Sequence, residues 1–482
     1  MENNNLISQY GDDCRKSILP NKHKRQLNHN NNNNDDDDVV DPTTNKRNRK
    51  TITIDDIIDG CYGFFLNEIP DRPDNQLNGF HTISLKSILS NENGKIIESI
   101  HFNFLYNLEW LIDHYPANCR NSPIYIVFGN SPQSRIESCS YSNVKLCSIK
   151  LNGIYSCHHS KMIILHYEDD SIRIIILTAN MTPLDWYTVT QGIWISPKLK
   201  KNNLKEDTSK TNFKNDLIQY LKAYEHKSIV MWINIIQEYD FSPINVFLIG
   251  SICNSHGNDD RESFGHLKIR KILRTSHYGP TNEIKNWPII CQFSSIGSLG
   301  KTPQSWLTAQ FLASFSATYN DFNGIKPELK CIYPTIEDIL NSLDKNGTCF
   351  PYVKSTADKQ PYLNDFFYRW KASISDRNNV MPHIKTYARI SPDNRKMAWF
   401  CLTSANLSKA AWGHLVKIGS KLRILNYELG VLFLPKLMIN QDSFSISQNN
   451  PLFLPYDLPL VKYDPENDKP WINNNNINTF TK

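Results

Sequence analysis

One short unit occurs twice in this chain and constrains its fold more than any bulk property does. His159-Ser160-Lys161 is followed by an apolar run ending in Thr178-Ala179-Asn180, and His383-Ile384-Lys385 by one ending in Thr403-Ser404-Ala405-Asn406. Eighteen residues separate lysine from asparagine in the first copy and twenty in the second, and the histidines stand about 220 residues apart. Each copy reads as strand, turn, asparagine. Two such units imply two similar halves, and a chain of 482 residues is long enough for two hydrophobic cores.

A single His-x-Lys carries little weight, because with fourteen histidines about one is expected by chance. The chain has a third, His266-Leu267-Lys268, but it runs into the basic amphipathic segment IRKILRTSH rather than a strand ending in Ala-Asn. His266 is therefore read as structural or as a backbone-phosphate contact. In an extended segment residues i and i+2 share a face, so His-x-Lys presents an imidazole and an ammonium together.

The remaining segments fit an α/β sandwich in each half. Residues 1–52 hold an Asn run, an Asp run and almost no aromatic residues, the composition of a disordered tail. Two basic clusters in it, 22–25 and 46–50, read either as a bipartite nuclear localisation signal or as a solvated tail. Helical spacing is expected over 103–115, 216–224, 229–239 and 335–343, and strands over 123–128, 171–177, 245–252, 288–293 and 397–402. Ser242-Pro243 breaks the pattern, giving domains at 53–243 and 244–482.

Bulk properties mostly exclude. No run of about 18 apolar residues offers a membrane span, and the first residues lack the basic-then-apolar order of a secretory signal. The eleven cysteines are scattered, without Cys-x-x-Cys pairs or zinc-type spacing, so free thiols and no metal or other cofactor are expected. The net charge of +5 is compatible with a polyanionic partner without demanding one.

Paired imidazoles and ammonium groups suit a phosphodiester. A neutral imidazole can attack phosphorus and form a covalent phosphohistidine, dividing one hard step into two. A second, protonated imidazole can donate to the leaving oxygen and then take a proton from water. Two lysines and two asparagines can hold the non-bridging oxygens.

These residues resemble the phospholipase D superfamily, and most of all its tyrosyl-DNA phosphodiesterase branch, which clears topoisomerase I remnants from DNA 3′ ends. The segments HHSKM, TQGIW, QFSSIGSLG, MPHIKTY, TSANLSKAAWG and NYELGVLFLP carry the resemblance, in order, from about residue 60 to Trp471. The superfamily's aspartate after His-x-Lys is replaced here by His166 and Ile390, as in that branch. The resemblance implies two α-β-α sandwich domains related by a pseudo-twofold axis, with the active site between them. It implies His159 as nucleophile and His383 as proton donor and acceptor, with Lys161, Lys385, Asn180 and Asn406 binding phosphate. Gln191 and Glu428 match the residues that orient the histidines. Tyr155 matches an aromatic that stacks on a nucleobase, a buried core tyrosine being the rival reading, and Ser294, Ser295, Ser408 and Lys409 match contacts to DNA. His158, on the opposite face from His159, reads as structural. The implied partner is a DNA 3′ end, single-stranded or nicked, carrying a tyrosyl peptide or another 3′ block, handled by a monomer in the nucleus or also in the cytoplasm. A lipid phosphodiesterase, a general nuclease and a non-catalytic DNA-end binder remain the alternatives. The resemblance fades at both ends of the chain.

Overall fold

The run Ser171–Leu177 is buried at every position, and β-branched residues in such a run place it at the middle of a sheet rather than on a helix. Met162–Tyr167 lies antiparallel to it, joined by a tight turn. The strand order around them is Thr82–Ile83, Phe64–Asn67, Gly192–Ile195, Ser171–Leu177, Met162–Tyr167, Ile96–Phe102, Ile124–Gly129, Val144–Ile149, and the short strand Leu199–Lys200 also pairs with Ser171–Leu177. The second sheet runs Phe247–Ser251, Asn426–Phe433, Lys396–Thr403, Thr386–Ile390, Ile289–Gln292, Leu329–Ile332, Phe367–Tyr368.

Leaving aside Thr82–Ile83, the two orders match strand for strand, and so do their directions. In each, four antiparallel pairings are followed by two parallel ones. The doubled sequence unit therefore builds a doubled sheet. In both copies His-x-Lys leads into one central strand and the Asn follows its antiparallel neighbour.

This computed structural model describes residues 53–473, apart from 71–81, 130–135, 137–138, 152, 154, 203–205, 320–325 and 448–449. The expected tail and its basic clusters lie outside the described residues, as does most of the Asn-rich C-terminal stretch. The described residues belong to one compact unit. Period-two alternation divides the first sheet's faces. Phe64, Met162 and Ile164 enter the core shared with the second sheet, whereas Phe65, Ile163 and Leu165 pack in a smaller cluster on the other face. Phe64 meets Phe400, Phe433 and Phe453 across the join, with ring centroids 5.3, 6.4 and 4.9 Å away.

The strands fall where the sequence placed them, but the helix expected over 103–115 is shorter, Leu108–Asp113. Its first residues are recruited to the site. Asn103 Nδ2 donates to the Ala179 carbonyl, Tyr106 bridges to Met181, and Asn107 caps the helix through its side chain. Likewise the helix expected over 335–343 is Ile336–Leu340, capped by Thr335.

Candidate active site

Each histidine is held by backbone from the other half of the molecule, His159 by a strand of the second sheet and His383 by the segment that leads into Gly192–Ile195. Cys157–His158 pairs in parallel with Asn426-Tyr427, and the His159 amide donates to the Tyr427 carbonyl at 2.9 Å. This brings His159 Nδ1 to 2.9 Å from Glu428 Oε2. A carboxylate only accepts, so Nδ1 carries the proton and the lone pair stays on Nε2. Glu428 is buried, which on its own raises a carboxyl pKa. His159 outweighs that, with Ser404 Oγ at 2.6 Å and Asn426 Nδ2 at 3.0 Å, and the carboxyl falls to about 2. Burial lowers the His159 pKa, with Glu428 opposing, so the free imidazole is neutral at pH 7.

The second histidine is set by a mirror arrangement. Thr190 bridges to Pro382, its amide donates to the Met381 carbonyl at 2.8 Å, and its carbonyl accepts from the Ile384 amide at 2.7 Å. Gly192 permits this approach, since a Cβ there would lie 2.5 Å from Leu402 Cδ1 and 2.7 Å from Ile384 Cδ1. His383 Nδ1 then sits 2.8 Å from Gln191 Nε2 and 3.0 Å from Asp185 Oδ1. Gln191 Nε2 touches His383, and a carboxylate that the sequence reading missed, Asp185, stands beside the same ring nitrogen. Gln191 Nε2 donates to Asp185 Oδ1 at 3.1 Å while its Oε1 accepts from Thr178 Oγ1 at 2.7 Å, so Gln191 holds the carboxylate in place. Burial raises the Asp185 carboxyl, yet His383 and bonds from Asn180 and Thr182 carry it well below the usual carboxylate range. Burial and the neighbouring Lys385 push His383 down to about 3, against Asp185.

Both lysines are fully buried and fold back the same way, Lys161 Nζ donating to the His159 carbonyl at 3.0 Å and Lys385 Nζ to that of His383. Burial lowers Lys161 to about 8, and burial plus the Lys161 charge lowers Lys385 to about 7. The charge of each lysine acts on both histidines, so the two half-sites form one centre. The asparagines differ. Asn180 donates its amide N–H and its Nδ2 to Asp185 at 2.9 and 3.3 Å. Asn406 Oδ1 accepts from the backbone amides of Ser294 and Ser295 at 3.1 and 3.0 Å, which turns its NH2 away from that loop.

A family model for tyrosyl-DNA phosphodiesterase matches residues 63–464, five-sixths of the chain. The chain belongs to the tyrosyl-DNA phosphodiesterase family. Tyrosyl-DNA phosphodiesterase 1 of Drosophila melanogaster is 38% identical over 430 residues, covering 85% of this chain and 73% of that protein. The Arabidopsis thaliana protein of the same name is 32% identical, with 78% and 69% covered. The crystal structure of the yeast tyrosyl-DNA phosphodiesterase superposes with a TM-score of 0.67 at 22% identity, covering 85% of this chain and 99% of that one, so the fold is the phospholipase D-like one.

Around the centre of this tyrosyl-DNA phosphodiesterase family member the remaining matched residues divide. Ile296 bridges to Leu407 and the Gly297 amide donates to the Leu407 carbonyl, laying the 294–300 loop against 406–409. Ser294, Ser295, Ser408 and Lys409 are thereby gathered on one side of Asn406. Ser294 directs its hydroxyl to Asn406 at 3.3 Å, whereas Ser408 Oγ accepts from the Ala411 amide. Tyr155 is 83% exposed, which excludes the core reading. His158 is buried between the Asn103 carbonyl and Tyr224, and His266 is buried in the helix Gly265–Thr275 against Ser314, both structural positions.

Three residues at the centre escaped the sequence reading. Phe104 stands 5.6 Å from the His159 ring and 5.9 Å from Lys161 Nζ. Cys349 converges with Asp185 and His383, their donor atoms all within 4.8 Å of one another. Asp185 did leave a signal, Thr182-Pro183-Leu184-Asp185, which has the form of a helix cap. The cap is present, and the same carboxylate serves His383.

Proposed function

We propose that the chain is a DNA-repair phosphodiesterase that hydrolyses the bond between a DNA 3′-phosphate and a tyrosine, leaving a 3′-phosphate. The observation that carries this reading is the crossed bracing of the two histidines, His159 on Glu428 and His383 on Asp185. His159 Nε2 attacks phosphorus in line while Lys161, Lys385 and the asparagines hold the non-bridging oxygens. In the free site His383 is neutral. An incoming phosphodiester anion offsets the lysine charges that disfavour the imidazolium, so the substrate itself promotes protonation of His383. His383 then protonates the departing tyrosinate, and Asp185 stabilises the cation until that transfer. A phenol has a pKa of about 10, against 15.7 for water as a proxy for an alcohol, which favours tyrosyl release over strand scission. In the second step neutral His383 takes a proton from water, and the phosphohistidine is hydrolysed.

Under the same reading Tyr155, at the exposed edge, stacks on a base, an interaction of roughly 1–3 kcal/mol. Ser294, Ser295, Ser408 and Lys409 then follow the phosphate backbone. The chain acts as a monomer, because both half-sites lie in one chain. It resides in the nucleus, for which the basic clusters at 22–25 and 46–50 are the support. The division into domains 53–243 and 244–482 is part of the reading, supported by the strands of each large sheet falling on one side of that point except for Cys157–His158.

The test is a 5′-labelled oligonucleotide bearing a 3′-phosphotyrosine, incubated with the protein in excess EDTA. Conversion to the 3′-phosphate, lost in His159→Ala, is the expected outcome. Cleavage of a phosphatidyl lipid or of unmodified DNA, with the tyrosyl end untouched, would overturn the assignment.

A further inference from the structure

Cys349 lies at the catalytic centre, and the chemistry proposed above gives it no task. A carboxylate oxygen of Asp185, the Cys349 sulfur and a ring nitrogen of His383 lie within 4.8 Å of one another. Among the described residues this is the one group of three or more His, Cys, Asp or Glu side chains that converges in this way. Asp185 and His383 are 3% and 5% exposed and Cys349 9%, so the donors are buried rather than on a solvated surface. The set is one oxygen, one sulfur and one nitrogen, the combination that suits a borderline-soft divalent cation. Bonds of about 2.0–2.3 Å in a tetrahedron place ligand atoms about 3.3–3.7 Å apart. Asp185 Oδ1 and His383 Nδ1 are 3.0 Å apart and separate slightly on binding, while the sulfur, within 4.8 Å of the other two donors, moves inward by up to about 1.5 Å.

We propose that Asp185, Cys349 and His383 form an inhibitory site for a borderline-soft divalent cation, with Zn²⁺ as its representative, leaving a fourth position for water or a phosphate oxygen. Binding releases the thiol proton to solvent and confines the one imidazole proton to Nε2, since Nδ1 gives its lone pair to the cation. The ring then cannot become an imidazolium, so metal binding and proton transfer by His383 exclude each other. Lys161 and Lys385 oppose the incoming cation, the latter lowered to about 7, whereas Asp185 and the new thiolate favour it. Burial and the Asp185 charge hold the free Cys349 thiol well above its ordinary range, so the cation must displace that proton to bind.

The whole chain is titrated with Co²⁺, whose thiolate charge-transfer band in the near ultraviolet reports a Co–S bond. One Co²⁺ per chain should give the band, Zn²⁺ should displace it, and Cys349→Ser should lack it. Halving the tyrosyl-release rate should need at least about tenfold more Zn²⁺ in Cys349→Ser, each rate taken relative to that protein's own rate in EDTA. A band of equal strength in Cys349→Ser, no band in the unaltered chain, or equal Zn²⁺ sensitivity would each overturn the proposal. Should Cys349→Ser fail to fold, the zinc-edge absorption spectrum of the unaltered complex decides, since a first shell without sulfur refutes the site. Only the rate measurement rests on the proposed activity, so its failure is distinguishable from a failure of the metal site.

Discussion

The first and second half-sites share a backbone plan and differ in their acids. After Asn180, Thr182 caps the helix Pro183–Tyr187 and Asp185 stands at its third position. After Asn406, Ser408 caps the helix Lys409–Trp412 in the same way, but Ala411 stands at that position. Further on the difference reverses. Thr178 donates to the neutral Gln191 in the first copy, and Ser404 donates to the carboxylate of Glu428 in the second. Each copy therefore contributes one carboxylate, from a different place, and gives it to the histidine of the other copy. The lysines stay equivalent, each folded back on the carbonyl of its own histidine. The doubled unit supplies a symmetrical pair of lysines, and under the proposed function the unequal acids go with unequal tasks for the two imidazoles.

Breaking the comparison at its centre should have the largest effect. His159→Ala should lower kcat by roughly 10⁴-fold or more and leave no covalent adduct on a denaturing gel. His383→Ala should still form an adduct and accumulate it, because its second task is to activate water. If neither variant ever yields an adduct, the division of labour is wrong.

The carboxylates sharpen the comparison at the next level. Glu428→Gln and Asp185→Asn should each cost about 10²-fold, the upper end for a residue that orients a reactive imidazole. The two losses should fall on different steps. Glu428→Gln should slow adduct formation in single-turnover assays, and Asp185→Asn should slow adduct decay. Equal effects on both steps would mean the acids are interchangeable.

The lysines should reveal the shared part through pH. Their ordinary value is near 10.4, and burial lowers Lys385 to about 7 and Lys161 to about 8, so their charged forms are lost as pH rises through that range. kcat/KM should accordingly fall on the alkaline side from about pH 7 upward, and Lys385→Arg, which stays charged, should move that limb to higher pH whatever its effect on the maximum. An unmoved limb would assign the titration to another group.

Smaller effects come from the frame. Gly192→Ala forces a methyl against Leu402 and Ile384 in the second sheet and should cost about 1–3 kcal/mol in urea unfolding. Ser408→Ala and Thr182→Ala each remove a helix cap worth about 1 kcal/mol. Thr182→Ala should also reduce activity, since Thr182 Oγ1 donates to Asp185 at 2.9 Å.

This comparison also explains what the sequence made legible. A repeat displays only what its copies share, so His159, His383, both lysines and both asparagines could be read from it, along with the doubled sheet. Asp185 is the departure from the repeat and sits inside an ordinary capping pattern, where its second role leaves no local trace. Gln191 and Glu428 came from the family motifs, and the motifs did not reveal that Gln191 holds an aspartate. Phe104 and Cys349 reach the centre from segments remote in sequence from the residues they face, and no periodicity marks such contacts. The shortened helix at Leu108–Asp113 has the same cause, because Asn103 and Tyr106 are committed to partners about 75 residues further along, Ala179 and Met181.

The exchange of carboxylates has a consequence for how the protein is made. His159 leaves the ribosome 269 residues before Glu428. At about 5–20 residues per second, that interval lasts roughly 15–50 seconds. Throughout it the imidazole has no carboxylate to set its tautomer, and the strand Cys157–His158 lacks its partner. A nascent or truncated chain therefore carries a His159 that is present but not aligned, and the half-site read first along the chain is completed only by residues made near its end.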